Sequence, residues 1–190
     1  MASKVQIISD AFVNLGKGVV SSPETDNPIF AAASSVYDRL LPSMLTIHPW
    51  RFAMKSFQLN KLNESSPYAR WSAVFQIPGD VELIYRTDPL LNYEIFQNKL
   101  FTNSSSVLLE YLFLPKESEF PAYFTQLMIV KLTARIAMTV TQLDNLAAFW
   151  EKESIQQIAL ARAADSSMMP NIPVVRNAIY QSHFQNSRRF

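Results

Sequence analysis

The sequence predicts an α+β fold: a mainly helical bundle, a small antiparallel β subdomain inserted in its middle, and an extended C-terminal arm. Three observations predict it. Apolar residues recur at helical spacing before residue 50 and again after Pro121. Between them, from about Phe52 to Leu114, short runs alternate with turn formers. Beyond Asp165 the composition shifts to Ser, Pro, Asn and Gln, with apolar residues scattered singly. The expected division is therefore residues 1–50 and 116–165 for the helical body, 51–115 for the β insertion and 166–190 for the arm.

The first helix begins at Ser3, whose hydroxyl suits an N-cap, and buries Val5, Ile8, Phe12 and Leu15. Gly16 supplies a residue able to end it in the left-handed conformation. Residues 19–27 read as a loop. A second helix starts where Asp26 or Asn27 caps it and Pro28 occupies the first turn, with a stripe of Ile29, Ala33, Val36, Tyr37 and Leu40. Pro42 is expected to kink or end it. Strands are expected at residues 73–77, 81–86, 93–96 and 107–113, with turns at Pro78-Gly79-Asp80 and Gln97-Asn98-Lys99. Helical spacing returns through Phe124, Leu127, Met128, Ile136 and Val140, then through Leu143, Leu146, Ala147, Trp150 and Ile158. The β-branched run Thr139-Val140-Thr141 divides this stretch into two helices.

The bulk numbers set bounds. At 190 residues the chain fits one domain with a small insertion. Hydrophobic residues make up 48% and charged residues only 17%, a thin solvated coat, so part of the surface is expected to meet protein. No run approaches a membrane span, and the start lacks the apolar core of a signal peptide, so a cytoplasmic product is expected. With no cysteine, thiol catalysis, disulfides and thiolate metal sites drop out. A net charge of +1 offers no global field for nucleic acid or anionic membrane.

Little in the chain suggests reaction chemistry. Of the two histidines, His183 lies in the arm, and His48, between Ile47 and Pro49, reads as a partly buried, hydrogen-bonded ring. Neither has a carboxylate four residues away, as a histidine-based zinc site would want. The pairs Glu24/Asp26, Asp80/Glu82 and Glu117/Glu119 flank loops and read as solvated charges. Gly16-Lys17-Gly18 follows a helix and lacks a Lys-Ser/Thr ending, so it reads as a C-cap and not a phosphate loop. No catalytic residue, cofactor or metal is expected.

Arg51, Lys55, Lys61 and Arg70 alternate with Trp50, Phe52, Phe57, Tyr68 and Trp71. This is either a platform for single-stranded nucleic acid or, as favoured here, core aromatics with cations snorkelling around them. Trp50, Phe52 and Trp71 are expected to join the helical and β regions.

The arm is where a partner is expected. Ordering its backbone costs more than burying its own apolar side chains returns, so it is either a disordered tail or, as favoured here for its many large apolar residues, a segment completed by a neighbour's groove or strand edge. Val174, Val175, Ile179, Tyr180 and Phe184 are the expected anchors. Arg176, Arg188 and Arg189, with no acidic residue after Asp165, bias the segment towards an acidic or carbonyl-rich surface.

The series His48-Pro49-Trp50-Arg51-Phe52-Ala53, Trp71, Phe75-Gln76-Ile77-Pro78-Gly79-Asp80-Val81, residues 93–100, Leu109-Glu110-Tyr111, Phe120-Pro121 and residues 127–137 resembles the tail tubular protein A family. These are the head-to-tail adaptors of short-tailed bacteriophages, and the resemblance spans about residues 5–165. It implies a structural virion protein without enzymatic activity: a dodecameric ring beneath the portal ring, its β subdomain facing the tail nozzle protein and its C-terminal segment reaching the portal. Such a ring encircles double-stranded DNA without sequence-specific binding and meets no membrane. Two other readings stand beside it: a head-completion or neck protein of a long-tailed phage, and a small nucleic-acid-binding module using residues 50–71.

Overall fold

The computed structural model of the chain describes residues 2–19 and 27–168. Helix α1 (Lys4–Asn14) starts where Ser3 accepts a hydrogen bond from the Gln6 N–H at 3.2 Å. It ends as expected: Gly16 has φ +73°, and the Lys17 N–H reaches back to the Phe12 carbonyl at 3.0 Å. Helix α2 (Pro28–Thr46) is capped by Asn27, which accepts from the N–H groups of Ile29 and Phe30.

Two details of α2 differ from expectation. Its buried stripe is Phe30, Ala33, Tyr37, Leu40, Leu41, Met44 and Leu45, while Ile29 is exposed. Phe30 keeps the three- and seven-residue spacing to Ala33 and Tyr37 and takes the inner position. Pro42 does not end the helix, which continues to Thr46. Its missing N–H costs one bond, to the carbonyl of solvent-exposed Asp38, while Leu40, Leu41, Met44 and Leu45 hold both halves against the core.

The middle of the chain forms two antiparallel sheets, so the fold is mixed α+β. After a single 3-10 turn at Arg51–Ala53 come β1 (Met54–Gln58), β2 (Asn60–Lys61), β3 (Ala73–Gln76), β4 (Leu83–Asp88), β5 (Tyr93–Phe96), β6 (Lys99–Thr102) and β7 (Leu108–Leu112). One sheet has the order β1-β7-β4 and the other β2-β3-β6-β5. Leu59, Phe75, Leu100, Val107, Leu109 and Tyr111 make the core of this region. Gln97 and Asn98 both have positive φ, 49° and 60°, which is a two-residue primed turn joining β5 to β6. Lys99, expected in that turn, opens β6 instead.

Helices α3 (Ala122–Thr141) and α4 (Asp144–Ser167) divide where the β-branched run predicts. Gln142 takes φ 56°, and the Thr141 hydroxyl donates back to the Ala137 carbonyl at 2.8 Å. Residues 127–133 are buried without a break, so this part of α3 is covered on every side. Lys131 reaches Glu151 and Ser154 of α4 at 2.9 and 3.0 Å, while Thr133 accepts from Asn14 of α1 at 3.3 Å. Two residues turn a helix by about 200°, so α1 and α4 lie on opposite sides of α3. Helix α2 also packs on α3.

The expected boundary at residue 166 moves. Ser166 and Ser167 belong to α4, because the Ser167 hydroxyl donates to the Ala164 carbonyl at 2.7 Å and the Met168 N–H closes the end on Asp165.

Candidate functional site

The segment 48–53 is the hub of the molecule. Trp50 is fully buried and donates its indole N–H to the Met44 carbonyl at 2.7 Å. Its ring meets Tyr123 and Phe124 of α3, with centroids 6.3 and 5.1 Å away, and Phe52 packs on Phe120 and Phe124. Asp165, only 2% exposed in the last turns of α4, closes the arrangement. It accepts from the Tyr123 hydroxyl at 2.7 Å and the Arg51 N–H at 3.1 Å, and lies 3.1 Å from His48 Nε2. Burial, and then the Asp165 carboxylate beside it, pushes the Tyr123 phenol well above its ordinary value. His48 is thus a hydrogen-bonded ring, packed edge-on to Trp50 at 4.7 Å. The network fastens the end of α4 to α3 and to the chain entering β1.

Beside this hub lies a cleft of about 430 Å³ between the end of α4 and the sheet face of β1, β7 and β4. Arg51, Met54, Tyr85, Arg86, Glu110 and Ser166 line it, with Arg86 fixed on Glu110 at 2.7 Å. Ser166, where the arm was expected to begin, belongs to α4 and lines this cleft. The expected anchors Val174, Val175, Arg176, Ile179, Tyr180, Phe184, Arg188 and Arg189 lie outside the described residues, as do His183, Glu24 and Asp26.

The basic aromatic segment does not form one platform. Trp50 is core, Lys55 pairs with Asp80 at 2.9 Å, and Arg70 pairs with Glu94. Trp71 does not join the helical and β regions. It sits half-buried on the β region and donates to Glu94 at 2.9 Å, because that carboxylate offers its N–H an acceptor at the sheet's rim. Hydrogen bonds from Trp71 and Arg70 hold Glu94 below the usual carboxylate range. Asp80 is likewise held low, mainly by Lys55, with the Tyr111 hydroxyl at 3.0 Å as a second donor. Glu117 accepts from the Tyr37 hydroxyl at 3.3 Å.

Sequence reasoning missed the outer side of α4. Leu146, Ala147, Trp150 and Ile158 turn towards the core as expected, yet Phe149, Ile155 and Leu160 remain 51%, 63% and 64% exposed. Around the helix between them stand Ala148, Ala159 and Ala163, all exposed. Phe149 and Leu160 share one side of the helix, while Ile155 stands about 120° or more around it. The available signal was the surplus: α4 carries more apolar residues than one buried stripe uses.

No protein-family model matches this chain, and no curated protein matches it.

Proposed function

We propose that this chain is a structural subunit of a phage virion, an adaptor forming a ring between the portal and the tail nozzle of a short-tailed phage and extending the DNA channel. In this reading the four helices act as a bundle, residues 51–115 as a β subdomain towards the tail, and the segment after Met168 as an arm that docks on the portal. The observation that carries it is the position of the segment 48–53. The residues with the most specific family resemblance, Pro49-Trp50 and Phe52-Ala53, form the hub where α2, α3, α4 and β1 meet, held by Asp165. The near-zero net charge suits a ring that surrounds DNA without gripping it. The nucleic-acid-binding reading loses ground because Lys55 and Arg70 are already neutralised by carboxylates.

The test is truncation after Met168, which keeps all of α4. The full chain is expected to co-sediment with purified portal rings, and the truncated chain to remain folded, with unchanged helicity, and stay in the supernatant. Equal capture of both chains would overturn the role given to the arm.

A further inference from the structure

Two helix surfaces of this molecule fit each other, and they cannot meet within one chain. Helix α4 turns Phe149, Glu153 and Leu160 to one side, within about 40° of one another at 100° per residue. Phe149 and Leu160 are exposed, and Glu153, half-buried between them, has no ion pair among the described residues. Helix α2 turns Ala32, Ser35, Arg39 and Ser43 to solvent. Its outer stripe is thus Ala32, Ser35 and Ser43 around a single cation, with half-buried Val36 beside them, and Arg39 also has no ion pair among the described residues.

The spacings match when the helices run antiparallel. Glu153 lies four residues after Phe149 and seven before Leu160, while Arg39 lies seven after Ala32 and four before Ser43. Setting Glu153 against Arg39 places Leu160 on Ala32 and Phe149 on Ser43, so each large side chain enters a gap left by a small one along about 16 Å of helix. The buried carboxylate–guanidinium pair fixes the register, and the apolar contacts supply the drive. Within one chain α2 and α4 both turn their inner faces to the shared core around α3, so their outer faces point away from each other.

We propose that the outer face of α4 docks on the outer face of α2 of a second copy of this chain, head to tail. The contact uses two different surfaces, so every open series keeps a free α4 face at one end and a free α2 face at the other, and it propagates until it closes. This deepens the ring reading above and rests on it for its setting.

The chain has no cysteine, which makes disulfide trapping direct. Leu160→Cys and Ala32→Cys chains, mixed and mildly oxidised, are expected to give a linked dimer that neither gives alone, and Phe149→Cys with Ser43→Cys the same. Arg39→Glu is expected to weaken self-association at least tenfold by sedimentation, and Glu153→Arg in the same chain to restore it. All these positions except half-buried Glu153 are solvent-facing, and circular dichroism checks that each variant is folded. Dimers from Leu160→Cys alone would show a face-to-itself contact and overturn the proposal, as would no linkage in the mixture at several hundred micromolar chain. Portal capture is scored separately. Chains that cross-link as expected but ignore portal rings sink the adaptor reading and keep this contact; capture by chains that never cross-link does the reverse.

Discussion

A buried carboxylate left without donors is strongly destabilising. Asp165 finds them in the Arg51 backbone, the Tyr123 hydroxyl and the His48 ring, two of which are more than 110 residues away in the chain. Asp165→Ala strands those donors around a small void and is expected to cost about 3 kcal/mol in urea denaturation, with lost order at the end of α4. Tyr123 adds a pH dependence. Its phenol is pushed up in the folded state by burial and by Asp165, so the unfolded chain loses that proton first. Stability is therefore full below the ordinary tyrosine value of about 10 and falls as pH rises beyond it. Tyr37, raised by burial and Glu117, acts in the same direction. Tyr123→Phe is expected to lower stability at neutral pH by about 1 kcal/mol and to flatten the alkaline decline, read as melting temperature between pH 8 and 11. An unchanged slope would assign the decline to other groups.

At the scale of elements, the sequence was legible where one local rule decides the outcome. Ser3, Asn27 and Gly16 cap their helices through contacts within a few residues, and Thr139-Val140-Thr141 ends α3 through its own hydroxyl. Gly16 shows how local the rule is: a Cβ there meets nothing within 4 Å, yet φ is +73°. Gly16→Ala is expected to cost about 1 kcal/mol through backbone strain alone, measurable by thermal melting against Gly79→Ala, where φ is not positive and no loss is expected. Strands β1, β2 and β6 were illegible for a different reason. β1 is mostly exposed, β2 has two residues, and three of the four β6 residues are buried in succession, so none shows a period of two. Strand β1 is paired by distant β7, and β6 lies between its hairpin partner β5 and the more distant β3. Likewise, whether Pro42 ends the helix or is carried through it depends on the buried residues on both sides of it.

For the whole molecule, the question is how the helical core and the β core are held together. Strand β7 belongs to both. Leu109 and Tyr111 belong to the β core, while Leu112 belongs to the helical core, and the next residue, Phe113, donates its N–H to the Ala53 carbonyl at 3.0 Å. This is also why the candidate docking face could not be read in advance. Which side of α2 or α4 is outermost depends on how every helix sits on α3, and no local spacing contains that. The double membership of β7 makes a sharp expectation. In the native chain the two cores should unfold together, with amides of β3, β6 and α3 losing hydrogen-exchange protection at the same denaturant concentration. Leu112→Ala removes the side chain that ties them and is expected to cost about 2–5 kcal/mol. Because Leu112 is the β7 side chain that sits in the helical core, its loss weakens the hold of the helices on the β region, and protection in β3 and β6 should then fail at lower denaturant than protection in α3. Leu100→Ala, of similar cost but wholly inside the β core, should instead lower both together while the link holds. Coincident loss in the Leu112→Ala chain would place the coupling in the aromatic hub at 48–53.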